Sequence, residues 1–171
     1  MNRIKKLFLI MGILIVVLAG IFTFLLKPES IISINTGLNV YSGKMEKYQN
    51  ESGPMGDGVT MAVVDFGKED MKNKIQRNNR WKPLPLTENL KILNYGTSGK
   101  EEGGRLPTTT DEENKPFIPE AKNGYYLFRD RQPEAKDPQE DKDIFTRSSM
   151  NFTFALFDAD TNKMYYYKYD S

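Results

Sequence analysis

Residues Leu7 to Leu26 contain no charged side chain, and Arg3, Lys5 and Lys6 stand directly before them. A helix rises about 1.5 Å per residue, so a run of this length matches a bilayer hydrocarbon core of about 30 Å. A secretory signal would have an apolar region of roughly 7–15 residues and a small-residue cleavage site. Leu18-Ala19-Gly20 approaches a lipobox, but Ile21 stands where its cysteine would be. The segment is therefore expected to persist as an anchor. The cluster of basic residues on one side predicts a cytoplasmic N-terminus. Residues 1–6 then form a cytoplasmic tail, 7–26 the transmembrane anchor in contact with the lipid bilayer, 27–54 a juxtamembrane stalk or first strand, and 55–171 an extracytoplasmic domain.

Composition narrows the chemistry of that domain. The chain has 171 residues, no Cys, no His and a formal net charge of +1. Near-neutral balance argues against a nucleic-acid partner, which would call for a basic face. Without Cys and His there is no thiol nucleophile, imidazole base, disulfide or His/Cys zinc site. No cofactor or metal is expected. Acid–base catalysis would fall to carboxylates, Lys or Tyr.

Punctuation and periodicity give an α+β order: an antiparallel sheet with two short helices packed to one side. "SIISINTGLNVYSG" is rich in β-branched residues and reads as a first strand or stalk. Val59–Phe66 is a short apolar, β-branched run bounded by glycines, the pattern of a buried strand. "KEDMKNKIQRNN" reads as a helix with Met71 and Ile75 on one face. "WKPLPL" is held extended by its prolines. "TENLKILNYG" reads as a second helix, with Thr87 as N-cap and Gly96 as its stop. Residues 97–116 are polar and Gly-rich, a long exposed loop, and 132–147 form another charged loop. Strands are expected from Tyr125 to about Asp130 and on both sides of the Asp158–Asn162 turn.

Few motifs carry chemistry. Asp158, Asp160 and Asn162 have the spacing that opens a calcium loop, but an EF-hand needs Gly at its sixth position and Glu at its twelfth. Lys163 and Tyr169 stand there, so the stretch reads as a hairpin turn. "SGPMGDG" could cradle an anion, and its glycines equally suit a turn into the next strand. "GTSGKEE" fails as a phosphate loop, with Asn94 and Glu101 in place of the required Gly and Ser/Thr. Arg129 and Arg131 fall on one strand face and could grip a carboxylate or phosphate in bidentate fashion, or else pair with the acidic loop that follows. Tyr165, Tyr167 and Tyr169 line one face of the last strand, an arrangement that binds sugars or peptides or covers a sheet.

"WKPLPL", "NGYYLFRDR" and "SSMNFTFALFDADTNKMYYYKYDS" together resemble a group of uncharacterised small exported proteins of Gram-positive bacteria. The similarity runs from roughly Met55 to Ser171. Members carry a His-containing glycine turn where this chain has "SGPMGDG". The resemblance implies a bacterial, extracytoplasmic, membrane-attached protein and no particular activity. The expected function is a non-catalytic binding or interaction module at the cell membrane, facing an envelope protein or cell-wall component. Its candidate binding residues are Arg129, Arg131, Tyr165, Tyr167 and Tyr169, and no catalytic residue is assigned. The alternatives are an extracytoplasmic hydrolase using Asp57, Asp65 and Asp130, or a structural subunit of a membrane complex.

Overall fold

Helix α1 (Arg3–Leu25) carries the apolar run, and its side chains from Leu7 onward are exposed, with Phe24 near its end stacked on Tyr41. The computed structural model describes residues 3–53, 56–97 and 105–171, with side chains from residue 7. The centre of "SGPMGDG" (54–55) and the phosphate-loop-like stretch (98–101) lie outside the described residues, as does the first part of the 97–116 loop.

The expected stalk or first strand is largely helical. Pro28 opens helix α2 (Pro28–Thr36), which ends on Gly37 at φ 70°. A 3-10 turn (Val40–Ser42) follows, and strand β1 (Lys44–Asn50) begins only then. Proline at the first helical position and glycine just past the end are helix punctuation. Ile32 and Thr36, one turn apart, are buried on the domain side. Packing on this face overrides the β-branched preference for strand.

Strands β2 (Gly58–Asp65), β3 (Lys82–Pro83), β4 (Gly124–Asp130), β5 (Phe152–Asp158) and β6 (Lys163–Asp170) complete a six-stranded antiparallel sheet in the order β1-β2-β6-β5-β4-β3. The closing hairpin is central, and every residue from Phe152 to Phe157 is buried. A continuous apolar run marks a strand covered on two faces, where alternation would mark one. On one face Ala62, Val64, Ala155, Phe157, Met164 and Tyr166 meet Ile32 of α2, Trp81, and Met71 and Ile75 of helix α3 (Met71–Gln76). On the other, Phe152, Phe154, Leu156 and Tyr167 meet Leu90 and Leu93 of helix α4 (Glu88–Tyr95), with Ile118 and Ile144. The helices thus cover two faces, and the expected one-sided layering is corrected. Helices α2 and α3 share one face, and α4 covers the other.

The two predicted helices form, α4 with its predicted caps Thr87 and Gly96 and α3 with Asp70 as N-cap. Asp70 accepts from Asn73 N, Thr87 accepts from Leu90 N, and Gly96 ends α4 at φ 73°. Gly124 is fixed by close approach. Gly124 sits at φ 155°, and a Cβ there would lie 2.0 Å from the Phe157 carbonyl oxygen. Gly67 also has positive φ, at 56°, but with open space around it. Backbone conformations of the Gly124 kind cost other residues about 1–3 kcal/mol before any collision. Gly124→Ala should therefore lower the thermal midpoint more than Gly67→Ala; equal midpoints would refute the close β4–β5 approach.

Candidate functional site

Residues 158–162 form a hairpin turn. Asp158 accepts from Asp160 N (2.9 Å) and Thr161 Oγ1 (2.8 Å), and Asn162 adopts φ 55°. Asn162 Nδ2 donates to Gly67 O and Glu69 O, each at 2.9 Å, tying the turn to the segment before α3. The Asp160 carboxylate accepts from Asn123 Nδ2. These bonds account for the side chains as turn chemistry.

The tyrosine face of β6 is covered. Tyr167 is buried, and its hydroxyl donates to Thr108 O at 3.0 Å. Phe117 packs against Tyr165 and Tyr167, and Phe152 stacks with Tyr167 and Tyr169. Tyr165 and Tyr169 are half-buried at the rim. The cover comes from the second half of the loop expected to be exposed. Thr109 is fully buried there, and its hydroxyl donates to the buried Asn94 Oδ1 at 2.7 Å.

Arg129 and Arg131 do not act as a pair. Arg131 Nη2 donates to Tyr169 O (2.9 Å) and Asp170 Oδ1 (2.5 Å), clamping the ends of β4 and β6. Asp130, on the opposite face, is buried and paired with Arg147. Arg129 is exposed and makes no ion pair with a described residue.

Instead Arg129 lines a cavity of about 350 Å³ together with Asn35, Arg80, Leu127, Phe128 and the segment Asp137–Gln139. The cavity exists because the sheet edge is short. Strand β3 pairs only Lys82 with Tyr126 and Pro83 with Tyr125. Prolines 83 and 85 cannot donate to a ladder, which confines such a segment to an edge. Farther along β4, Asp130 N donates to Pro138 O at 2.7 Å, closing the far end. Between these points, antiparallel alternation turns the Phe128 N–H and C=O toward the open edge. Arg80 stands opposite, its Nη1 donating to Ile34 O and Asn35 O, each at 3.3 Å. Those carbonyls belong to the last turn of α2, where a cation is favoured. Asn35 Nδ2 in turn donates to the Tyr166 hydroxyl at 2.8 Å. Burial pushes the Tyr166 pKa up to about 12, so this hydroxyl stays protonated.

Two guanidiniums, the edge-facing main chain of Phe128 beyond the reach of β3, and the apolar Leu127 suit an anionic group attached to a peptide-like body. Asp137, whose carboxylate accepts from Gln139 N (2.9 Å), leaves the lining with a net positive balance. Arg129 was legible in the sequence. Arg80 and Asn35 were not, although the proline spacing of "WKPLPL" was a usable sign of a truncated edge.

The three carboxylates considered for hydrolysis lie apart. Asp65 pairs in register with Lys163, Lys163 with Asp158, and Asp158 with Gly124. That row is at the opposite end of β4 from Asp130, about 20 Å away at 3.3 Å per residue. Asp57 precedes Gly58, whose row reaches β4 only across two intervening strands, about 14 Å at 4.8 Å per spacing. No family model, no curated protein and no solved structure matches the chain.

Proposed function

We propose that this is a single-pass protein of the bacterial cell membrane, N-terminus inside, whose outer domain is a binding module. In this reading it holds a carboxylate- or phosphate-bearing group of an envelope protein or cell-wall component in the β4-edge cavity. The observation that carries it is the exposed Arg129, which has no ion pair among the described residues, facing a cavity shared with Arg80 and the β4 edge. The anchored topology is supported by the apolar, exposed span of α1 and the basic residues before it.

The single Trp81 follows Arg80 in the chain and serves as an internal fluorescence reporter. The full-length protein in detergent would be titrated with N-acetylated dipeptides bearing a free C-terminal carboxylate, with their amides, and with inorganic phosphate. The carboxylate peptides or phosphate should bind and the amides should bind more weakly. A hydrogen bond to a charged group contributes about 1.5–3 kcal/mol. Arg129→Gln should therefore weaken binding by roughly tenfold or more, at 1.4 kcal/mol per tenfold. Affinity unchanged by Arg129→Gln, or no binding of any of these probes, would remove the cavity from the reading.

A further inference from the structure

We infer that the outer domain is seated directly on the bilayer, with α2 in the headgroup layer and Tyr41, Ile31 and Ile34 as its lipid contacts. This rests on the anchored reading above and adds to it the placement of the domain.

Depth is set by contacts with the end of α1. Phe24 is the penultimate residue of that helix, and the apolar span ends at Leu25. The Tyr41 ring, which lies beyond α2, stacks on Phe24 with centroids 5.5 Å apart. Ser30 Oγ donates to Phe24 O at 2.7 Å, and Tyr41 OH lies 2.7 Å from Ser30 Oγ. Residues of the folded domain are therefore at the level of Phe24, where the hydrocarbon gives way to headgroups. No length of stalk separates domain from anchor.

The surface at that level is the kind a bilayer interface takes. Ile34 is 62% exposed, Tyr41 44% and Ile31 36%. Single exposed isoleucines are ordinary. Here two lie three apart on the side of α2 away from the buried Ile32 and Thr36. Ile31 and Ile34 come one and four residues after Ser30, at most about 6 Å further along the helix. The headgroup layer is roughly 5–7 Å deep on each side of the hydrocarbon core, so the pair stays within it when α2 runs along the surface or outward from it. Tyrosine, with an apolar ring and a polar tip, is enriched at this boundary. Lys27, 5.9 Å from the Phe24 ring centre, puts an ammonium beside it where lipid phosphates lie. Continuity with the anchor favours lipid over a protein partner as the cover.

The chain has no cysteine, so single-site labelling needs no background removal. The full-length variants Val16→Cys, Ile34→Cys and Asp160→Cys would each carry a fluorophore. They would be reconstituted at low protein-to-lipid ratio into phosphatidylcholine–phosphatidylglycerol vesicles. Nitroxide lipids would quench from the headgroup or from deep in the acyl chain. Deep quenching of position 16, headgroup quenching of position 34 and no lipid quenching of position 160 is the expected pattern. Deep quenching at 16 with position 34 as unquenched as 160 would leave the anchor in place and overturn the seating. Position 34 shielded from an aqueous quencher without lipid quenching would mean a protein cover and would overturn it equally. Loss of quenching at 16 would remove the anchor and the seating together.

Discussion

Trp81→Ala should lower the thermal midpoint of the full-length protein in detergent by about 10 °C. Trp81 is 6% exposed and sits in the cluster that joins α2 and α3 to the sheet. Removing such a side chain costs about 3–5 kcal/mol through lost burial and the cavity left behind. For a chain of this size each kcal/mol shifts the midpoint by about 2–4 °C. The indole also has a polar role, because Nε1 donates to Thr36 O at 2.9 Å, at the end of α2. Asn78 Nδ2 reaches the same carbonyl at a longer 3.4 Å. Trp81→Phe keeps most of the bulk and loses that donor, so it should cost about 1–3 kcal/mol, the range for a buried acceptor left short of a partner. The ordering wild type, Phe, Ala in the melting series tests the two contributions separately. An unchanged midpoint for Trp81→Ala would put the residue on an open surface.

The same residue shows where local sequence reasoning reached and where it stopped. Helices α3 and α4 were legible because their stop and start signals are local: Asp70 and Thr87 cap their own helices, and Gly96 ends α4. The closing hairpin was legible because two apolar runs flank an Asp/Asn turn. Helix α2 was not, because its β-branched residues favour strand in isolation. Only the burial of Ile32 and Thr36 beneath Trp81 and α3 decides the matter, and those partners lie far along the chain. The site divides likewise. Alternation correctly put Tyr165, Tyr167 and Tyr169 on one face, but their cover comes from Phe117 and Thr108, in a segment without regular structure. Arg131 was read as an anion grip. Its partner, Asp170, is brought to it by the strand order β6-β5-β4, which composition does not reveal. Cavities at a sheet edge depend on where a neighbouring strand ends, so the one beside Arg129 emerged only with the register of β3.

Alkaline pH should unfold the domain between about pH 10 and 12, through tyrosines that lie inside it. Tyr95, Tyr166 and Tyr167 are each pushed up to about 12, chiefly by burial, which disfavours the phenolate. In the unfolded chain each titrates near 10. The unfolded state thus loses these protons first as pH rises. The stabilising contribution is fully present below pH 10 and is lost as pH climbs through the folded values. Tyr95 is only partly buried, and solvent screening reduces its share. Tyr166 is 0% exposed and Tyr167 2%. A displacement of about two units is roughly 2.7 kcal/mol per group, so these two together oppose folding by about 5 kcal/mol near pH 12, comparable with the whole stability of many domains. Tyrosinate absorbance and circular dichroism, followed together, should show a late, cooperative ionisation step coinciding with loss of structure. The double variant Tyr166→Phe with Tyr167→Phe removes both ionisable hydroxyls but keeps the rings. It also loses the contacts to Asn35 and Thr108, so it should be less stable at neutral pH while its stability falls less steeply above pH 10. Free titration of every tyrosine near pH 10 with the fold intact would show that the two central β6 rings are open to water.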